Sequence, residues 1–126
     1  MTEDNGTDPF DGPQMVGVHY QRADMKGAHF DGVNLADARF FAVLTNATFS
    51  DTNLHGADFD DVNLGHAHFH NVNLSGGEIS NANLSGLKIS NATLVGADIR
   101  DCNLIGMQIN GVLVSDLLAA YEKSQA

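Results

Sequence analysis

From Val18 onward, large apolar residues recur at nearly every fifth position. The centres run Tyr20, Met25, Phe30, Leu35 and Phe40, then Leu44, Phe49, Leu54, Phe59, Leu64, Phe69 and Leu74. They continue through Ile79, Leu84, Ile89, Leu94, Ile99, Leu104 and Ile109 to Val114. Two residues before each centre stands a small or apolar residue such as Ala23, Ala47, Ala67 or Cys102, and the residue between the two is usually polar. Polar residues or glycine follow each centre, as in Asp31-Gly32 and Ser85-Gly86. This makes twenty units from Val18 to Asp116, nineteen of five residues and one of four. A helix cannot carry that spacing, because five residues at about 3.6 per turn swing each centre away from the last and leave no apolar face. A strand can. Small-polar-large is in-out-in at a period of two, and the polar pair that follows makes a corner. A chain that turns so often winds into a coil whose successive turns pair about 4.8 Å apart. The pattern predicts an all-β solenoid.

The number of sides follows from the identity of the centres. Aromatic residues or Ile alternate with Leu, and like side chains stack only if each coil holds an even number of units. Two sides leave no interior, so four sides and about twenty residues per coil are expected, giving about five coils. The stacked columns then read Tyr20, Phe40, Phe59, Ile79, Ile99 and, opposite, Phe30, Phe49, Phe69, Ile89, Ile109. The other two sides hold Met25, Leu44, Leu64, Leu84, Leu104 and Leu35, Leu54, Leu74, Leu94, Val114. Small partners enlarge where centres shrink: Ala67 accompanies Phe69, but Leu87 accompanies Ile89 and Met107 accompanies Ile109. A cross-section of constant volume demands that exchange. The inward residues make a core that requires neither cofactor nor metal.

Units such as Ala57-Asp58-Phe59-Asp60-Asp61, Val72-Asn73-Leu74-Ser75-Gly76 and Ala82-Asn83-Leu84-Ser85-Gly86 resemble the pentapeptide-repeat family, whose pattern is A(D/N)LXX. The resemblance covers residues 18–116 and implies a right-handed, four-sided parallel β-helix, the hand also following from the general rule for parallel crossovers. The family includes acidic inhibitors of DNA gyrase that mimic duplex DNA and others that act as regulatory or scaffold partners. Most of its members have no assigned activity.

Three segments are expected: an acidic, mobile tail and lead-in over 1–17, the β-helix over 18–116, and a short helix over 117–126. Ser115 is a good N-cap and Asp116 suits the positive end of a helix. Leu117, Leu118 and Tyr121 share one helical face by their spacing. That face is expected to seal the last coil, with homodimerisation through the same side chains as the alternative; similar family members use such a helix for both.

The short unit Ala38-Arg39-Phe40-Phe41 leaves Phe41 to Leu44 continuously apolar across a corner. Either a bulge turns Phe41 inward, or Phe41 and Val43 form an exposed apolar patch for a partner. One face of the prism collects carboxylates: Asp58, Glu78 and Asp98 in one outward column, with Asp60, Asp61 and Asp101 alongside and Arg39 and Arg100 interrupting. Carboxylates stacked about 4.8 Å apart repel one another, which invites a cationic partner or counter-ions. The opposite side carries His29, His68 and His70, with His66 at the preceding corner; without matched cysteines or carboxylates they make a weak case for metal, and none is assigned. The Asn columns are expected to support turns and coil stacking.

Composition bounds the rest. At 126 residues the chain is one domain, and 43% hydrophobic residues suffice for a core despite a net charge of −10. That charge argues against direct binding of nucleic acid or an anionic membrane. One cysteine excludes an internal disulfide framework, and Met1 to Pro13 lacks the apolar stretch of a secretory signal, so a cytoplasmic protein is expected. No apolar run approaches the roughly 20 residues of a membrane span. Nucleophile elbow, P-loop, metalloprotease and dinucleotide motifs are absent, and Cys102 falls at an inward position, so an enzyme is not expected and no catalytic residue is assigned. The expected function is a rigid acidic interaction module for a protein partner. The alternatives are a DNA-mimic inhibitor of DNA gyrase or topoisomerase and weak metal or ligand binding on the His face.

Overall fold

The computed structural model describes residues 19–125. The tail expected over 1–17 and the start of the first unit at Val18 lie outside them. Within that range the chain forms β1 (His19–Asp24), β2 (His29–Asp31), β3 (Arg39–Val43), β4 (Thr48–Ser50), β5 (Asp58–Asp60) and β6 (His68–His70). It continues as β7 (Glu78–Ser80), β8 (Lys88–Ser90), β9 (Asp98–Arg100), β10 (Gln108–Ile109), β11 (Val112–Leu113) and α1 (Val114–Ser124). The odd strands β1-β3-β5-β7-β9 make one parallel sheet and β2-β4-β6-β8 another. Two further columns are single-residue bridges: Asn34, Asn53, Asn73 and Thr93 on one side, and Val43, Asn63, Asn83 and Asn103 on the other. Four columns make four sides, and the solenoid completes about four turns.

The expected stacking is present. Tyr20 pairs with Phe40, Phe40 with Phe59, Phe59 with Ile79 and Ile79 with Ile99. Across the prism Phe30, Phe49, Phe69 and Ile89 pair in sequence. Rings within a column lie parallel, with centroids 4.6 Å apart for Phe40–Phe59, Phe30–Phe49 and Phe49–Phe69. The two aromatic columns meet edge to face at 6.1–6.4 Å, which fills the interior. Phe40, Phe49, Phe59, Phe69, Leu44, Leu54, Leu64 and Leu84 are fully buried.

Corners have one rule. The second residue after each centre from Tyr20 to Leu104, Phe40 excepted, takes a left-handed backbone, with positive φ at Gly27, Gly32, Asp37, Asn46, Asp51, Gly56, Asp61 and onward to Asp101 and Gly106. Gly, Asn and Asp tolerate that conformation best, so the polar pair of the repeat is a stereochemical requirement. The Asn columns support the same turns: Asn53, Asn63, Asn73 and Asn83 each accept a hydrogen bond from the N–H two residues on, at 2.9–3.0 Å.

The C-terminal part departs from expectation. Asn110 and Gly111 both have positive φ, 49° and 83°, and close an antiparallel hairpin of β10 and β11. Two successive left-handed residues match the tight turn that Asn-Gly favours between antiparallel strands. The chain thereby leaves the coil, so Ile109 and Val114 do not extend their columns and the fifth coil is only begun. Ile109 pairs with Val112 and is 52% exposed. The helix starts at Val114, not 117; Leu113 is its cap, with no side-chain cap bond, so Ser115 does not cap it. Nor does the helix seal the last coil. Leu117, Leu118 and Tyr121 are 43%, 50% and 64% exposed, and Leu94, Ile99 and Ile105 at the same end are also exposed. The helix packs on β11 and buries none of its own residues, so the end stays uncovered.

Candidate functional site

The outward residues of β3, β5, β7 and β9 build the candidate face. Arg39 pairs with Asp58, Asp58 with Glu78 and Glu78 with Asp98, so the acidic column is in register as expected, with a guanidinium at its head. The neighbouring column runs Asp60, Ser80, Arg100. Arg100 forms an ion pair with Asp98, and this carboxylate first, then Glu78 and Asp101, raises the guanidinium pKa further above its ordinary value. Asp60 accepts hydrogen bonds from the Ser80 hydroxyl and the Asn81 amide, both at 3.1 Å. Asp61 and Asp101 are corner residues with φ of 59° and 53°. Several of these carboxylates therefore serve the coil as well as the surface.

Phe41 and Val43 face outward, at 42% and 36% exposed, so the bulge that would turn Phe41 inward is not made in this coil. The four-residue unit has lost its corner residue, the second after Phe40, and no residue from Phe40 to Leu44 has positive φ. β3 runs straight across the corner with buried and exposed residues alternating. The coils on either side keep their corner residues, Arg22 at φ 52° and Asp61 at φ 59°. Register is regained by skipping Arg22, where the pairing of β1 with β3 shifts between Gln21 and Ala23. One ridge of the prism is thus notched. A depression of about 230 Å³ on the sheet side is lined by Phe41, Arg39, Asp58, Asp60 and Asp61, among others. Another of about 360 Å³ around the corner is lined by Phe41, Val43, Val62, Ala23, Arg22 and Asp61, among others. The notch brings Phe41, Val43, Asp58, Asp60 and Asp61 together; Glu78, Asp98 and Asp101 lie farther along the prism and line neither depression.

On the opposite side His29, Thr48, His68 and Lys88 form one outward column and Asp31, Ser50, His70 and Ser90 the next. Among the described residues no three metal-ligating side chains converge. His70 Nδ1 instead hydrogen-bonds the Ser90 hydroxyl at 2.9 Å. Cys102 is half-buried, not enclosed, because the coil above it is incomplete; its thiol lies 3.0 Å from the Arg100 carbonyl. No helix among the described residues is long and apolar enough to cross a membrane.

These features define a class: a parallel β-solenoid with a filled interior and ladders of side chains on its outer faces. The chain belongs to the pentapeptide-repeat family. The family description "Pentapeptide repeat region" matches residues 14–89, more than half of the chain, and "Pentapeptide repeats (8 copies)" matches residues 78–116. Among curated proteins none matches. Among solved structures, a trypsin-treated variant of QnrB1, a plasmid-mediated fluoroquinolone resistance protein, is 21% identical with a TM-score of 0.39, covering 67% of this chain and 61% of its own. A pentapeptide repeat protein of the Arabidopsis thaliana thylakoid lumen is 24% identical with a TM-score of 0.37, covering 80% and 75%. Rfr23 from the cyanobacterium Cyanothece 51142 is 23% identical with a TM-score of 0.29, covering 68% and 84%. The chain thus spans less than two thirds of the QnrB1 chain it matches.

Proposed function

We propose that the protein is a non-catalytic interaction module that presents its acidic face to a protein partner. The observation that carries this reading is the filled interior. Phe40, Phe49, Phe59 and Phe69 close it with at most 1% exposure each, so recognition falls to outer faces whose side chains the coil holds at fixed spacing. An ordered surface loses little conformational entropy on binding, which favours association without chemistry. The test is to compare the protein with an Asp58→Lys, Glu78→Lys variant in cross-linking from native lysate, after checking that the two melt alike. A protein retained by the first and lost by the second supports the reading; identical retention opposes it.

The alternative, mimicry of duplex DNA toward a topoisomerase, draws on the register of Asp58, Glu78 and Asp98. Arg39 and the Arg100–Asp98 ion pair work against it. Four coils also span only about 19 Å, few phosphates of a duplex. Absence of inhibition in a gyrase supercoiling assay removes this alternative. A tail-to-tail homodimer through Leu117, Leu118 and Tyr121 is proposed alongside the module, since it would cover the apolar end of the prism, and the cytoplasm is its proposed compartment.

A further inference from the structure

The missing corner residue has a chemical consequence for recognition. Restoring regular geometry after Phe40 would place a left-handed polar residue between Phe41 and Ala42, as Asp61 stands between Asp60 and Val62 one coil later. Its loss sinks the ridge and leaves an aromatic ring at the lip of two depressions of unlike character. The sheet-side depression puts Asp58, Asp60 and Asp61 against Arg39 and the Phe41 ring. The corner depression puts Val43, Val62 and Ala23 beside the same ring. Together the linings hold Asp24, Asp58, Asp60 and Asp61 against Arg22 and Arg39, a local net charge of −2.

We propose that this notch binds an extended protein segment in which an arginine or lysine sits next to an aliphatic side chain. This rests on the reading of the chain as an interaction module and names the chemistry of its partner. The cation enters the sheet-side depression, where Asp58, Asp60 and Asp61 outnumber Arg39 and the exposed Phe41 side chain lines the same space. The aliphatic neighbour packs on Val43 and Val62 in the corner depression, removing exposed apolar surface from water. Successive side chains of an extended segment project to opposite sides, so they can straddle the Phe41 ridge.

The probe is a short synthetic peptide alternating arginine and leucine, with a glutamate–leucine peptide and an arginine–glycine peptide as controls. Binding to the full chain is read by NMR shift perturbation and fluorescence anisotropy. The arginine–leucine peptide should shift the Phe41 and Val43 resonances and bind at least about tenfold more tightly than either control. Insertion of Asn between Phe41 and Ala42 restores the corner and should weaken binding about tenfold, as should the surface change Phe41→Ser. An Asp31→Asn variant, altered on the opposite sheet, should bind within about twofold of the original. Unchanged binding to both notch variants, no binding to the original chain, or equal binding of the glutamate–leucine peptide overturns the proposal. If the peptide fails while a lysate partner is still lost on Asp58→Lys, Glu78→Lys, the notch is wrong and the module stands. If both fail, the module falls too.

Discussion

His66 sits at a corner with φ of 57°, in a position that most units give to Gly, Asn or Asp. Asn carries the same crowding Cβ, but its short amide can hydrogen-bond the local backbone and offset the cost. His66→Asn should therefore raise stability by about 0.5–1 kcal/mol, read from the midpoint of urea unfolding. The interior obeys a different rule. Phe69 is 1% exposed and stacks on Phe49 at 4.6 Å, so Phe69→Ala opens a cavity between coils and should cost about 3–5 kcal/mol. Asn73 accepts hydrogen bonds from the Ser75 N–H and hydroxyl, and Asn73→Ala should cost only about 1 kcal/mol. Circular dichroism melts giving the reverse ranking would overturn this division of labour. Burial raises the Tyr20 phenol pKa above its ordinary value, because the neutral form is favoured in the fold. Its contribution is thus present below the ordinary phenol range and lost as pH rises through the shifted value. Tyr20→Phe should flatten the alkaline decline in a series of melts.

At the scale of elements, the C-terminal hairpin decides where the coil stops. Ile109, Val112 and Val114 fit the repeat spacing, which hides an Asn-Gly turn inside an apparently continuous array. The hairpin takes precedence because Asn110 and Gly111 together meet the two left-handed positions it requires. A Cβ at residue 111 meets nothing within 4 Å, so strain at its φ of 83° is the main cost of a substitution there. Gly111→Ala should cost about 1 kcal/mol and loosen α1, seen as faster amide exchange across Leu117 to Tyr121. Unchanged exchange would mean that the hairpin does not hold the helix.

At the scale of the whole molecule, the open end gathers the largest group of exposed apolar side chains among the described residues. Leu94, Val95, Ile99, Ile105, Ile109, Leu117, Leu118 and Tyr121 are all at least 37% exposed. Two-fold pairing is the commonest way for identical chains to cover such a surface. Sedimentation equilibrium should give twice the chain mass, and Leu118→Glu with Tyr121→Glu should return it to the monomer and make its melting temperature independent of protein concentration. A monomeric mass for the unaltered chain would sink the dimer.

What the amino-acid order determined was the part governed by a local, repeated rule. Each unit carries its own in-out-in strand and its own corner residue, so the columns from Tyr20 to Ile99 and from Phe30 to Ile89 could be assigned without coordinates. The acidic register of Asp58, Glu78 and Asp98 followed from the same count. Tertiary structure decided the places where one coil must answer another. Phe41 faces outward because the neighbouring coils keep Arg22 and Asp61 while its own coil lacks a corner, a relation between residues 19 to 20 apart. The helix fails to seal the prism because the hairpin ends the coil and the helix packs on β11, which its own apolar stripe does not reveal. A repeat specifies its interior unit by unit; its irregularities and ends depend on neighbours that a local pattern does not contain.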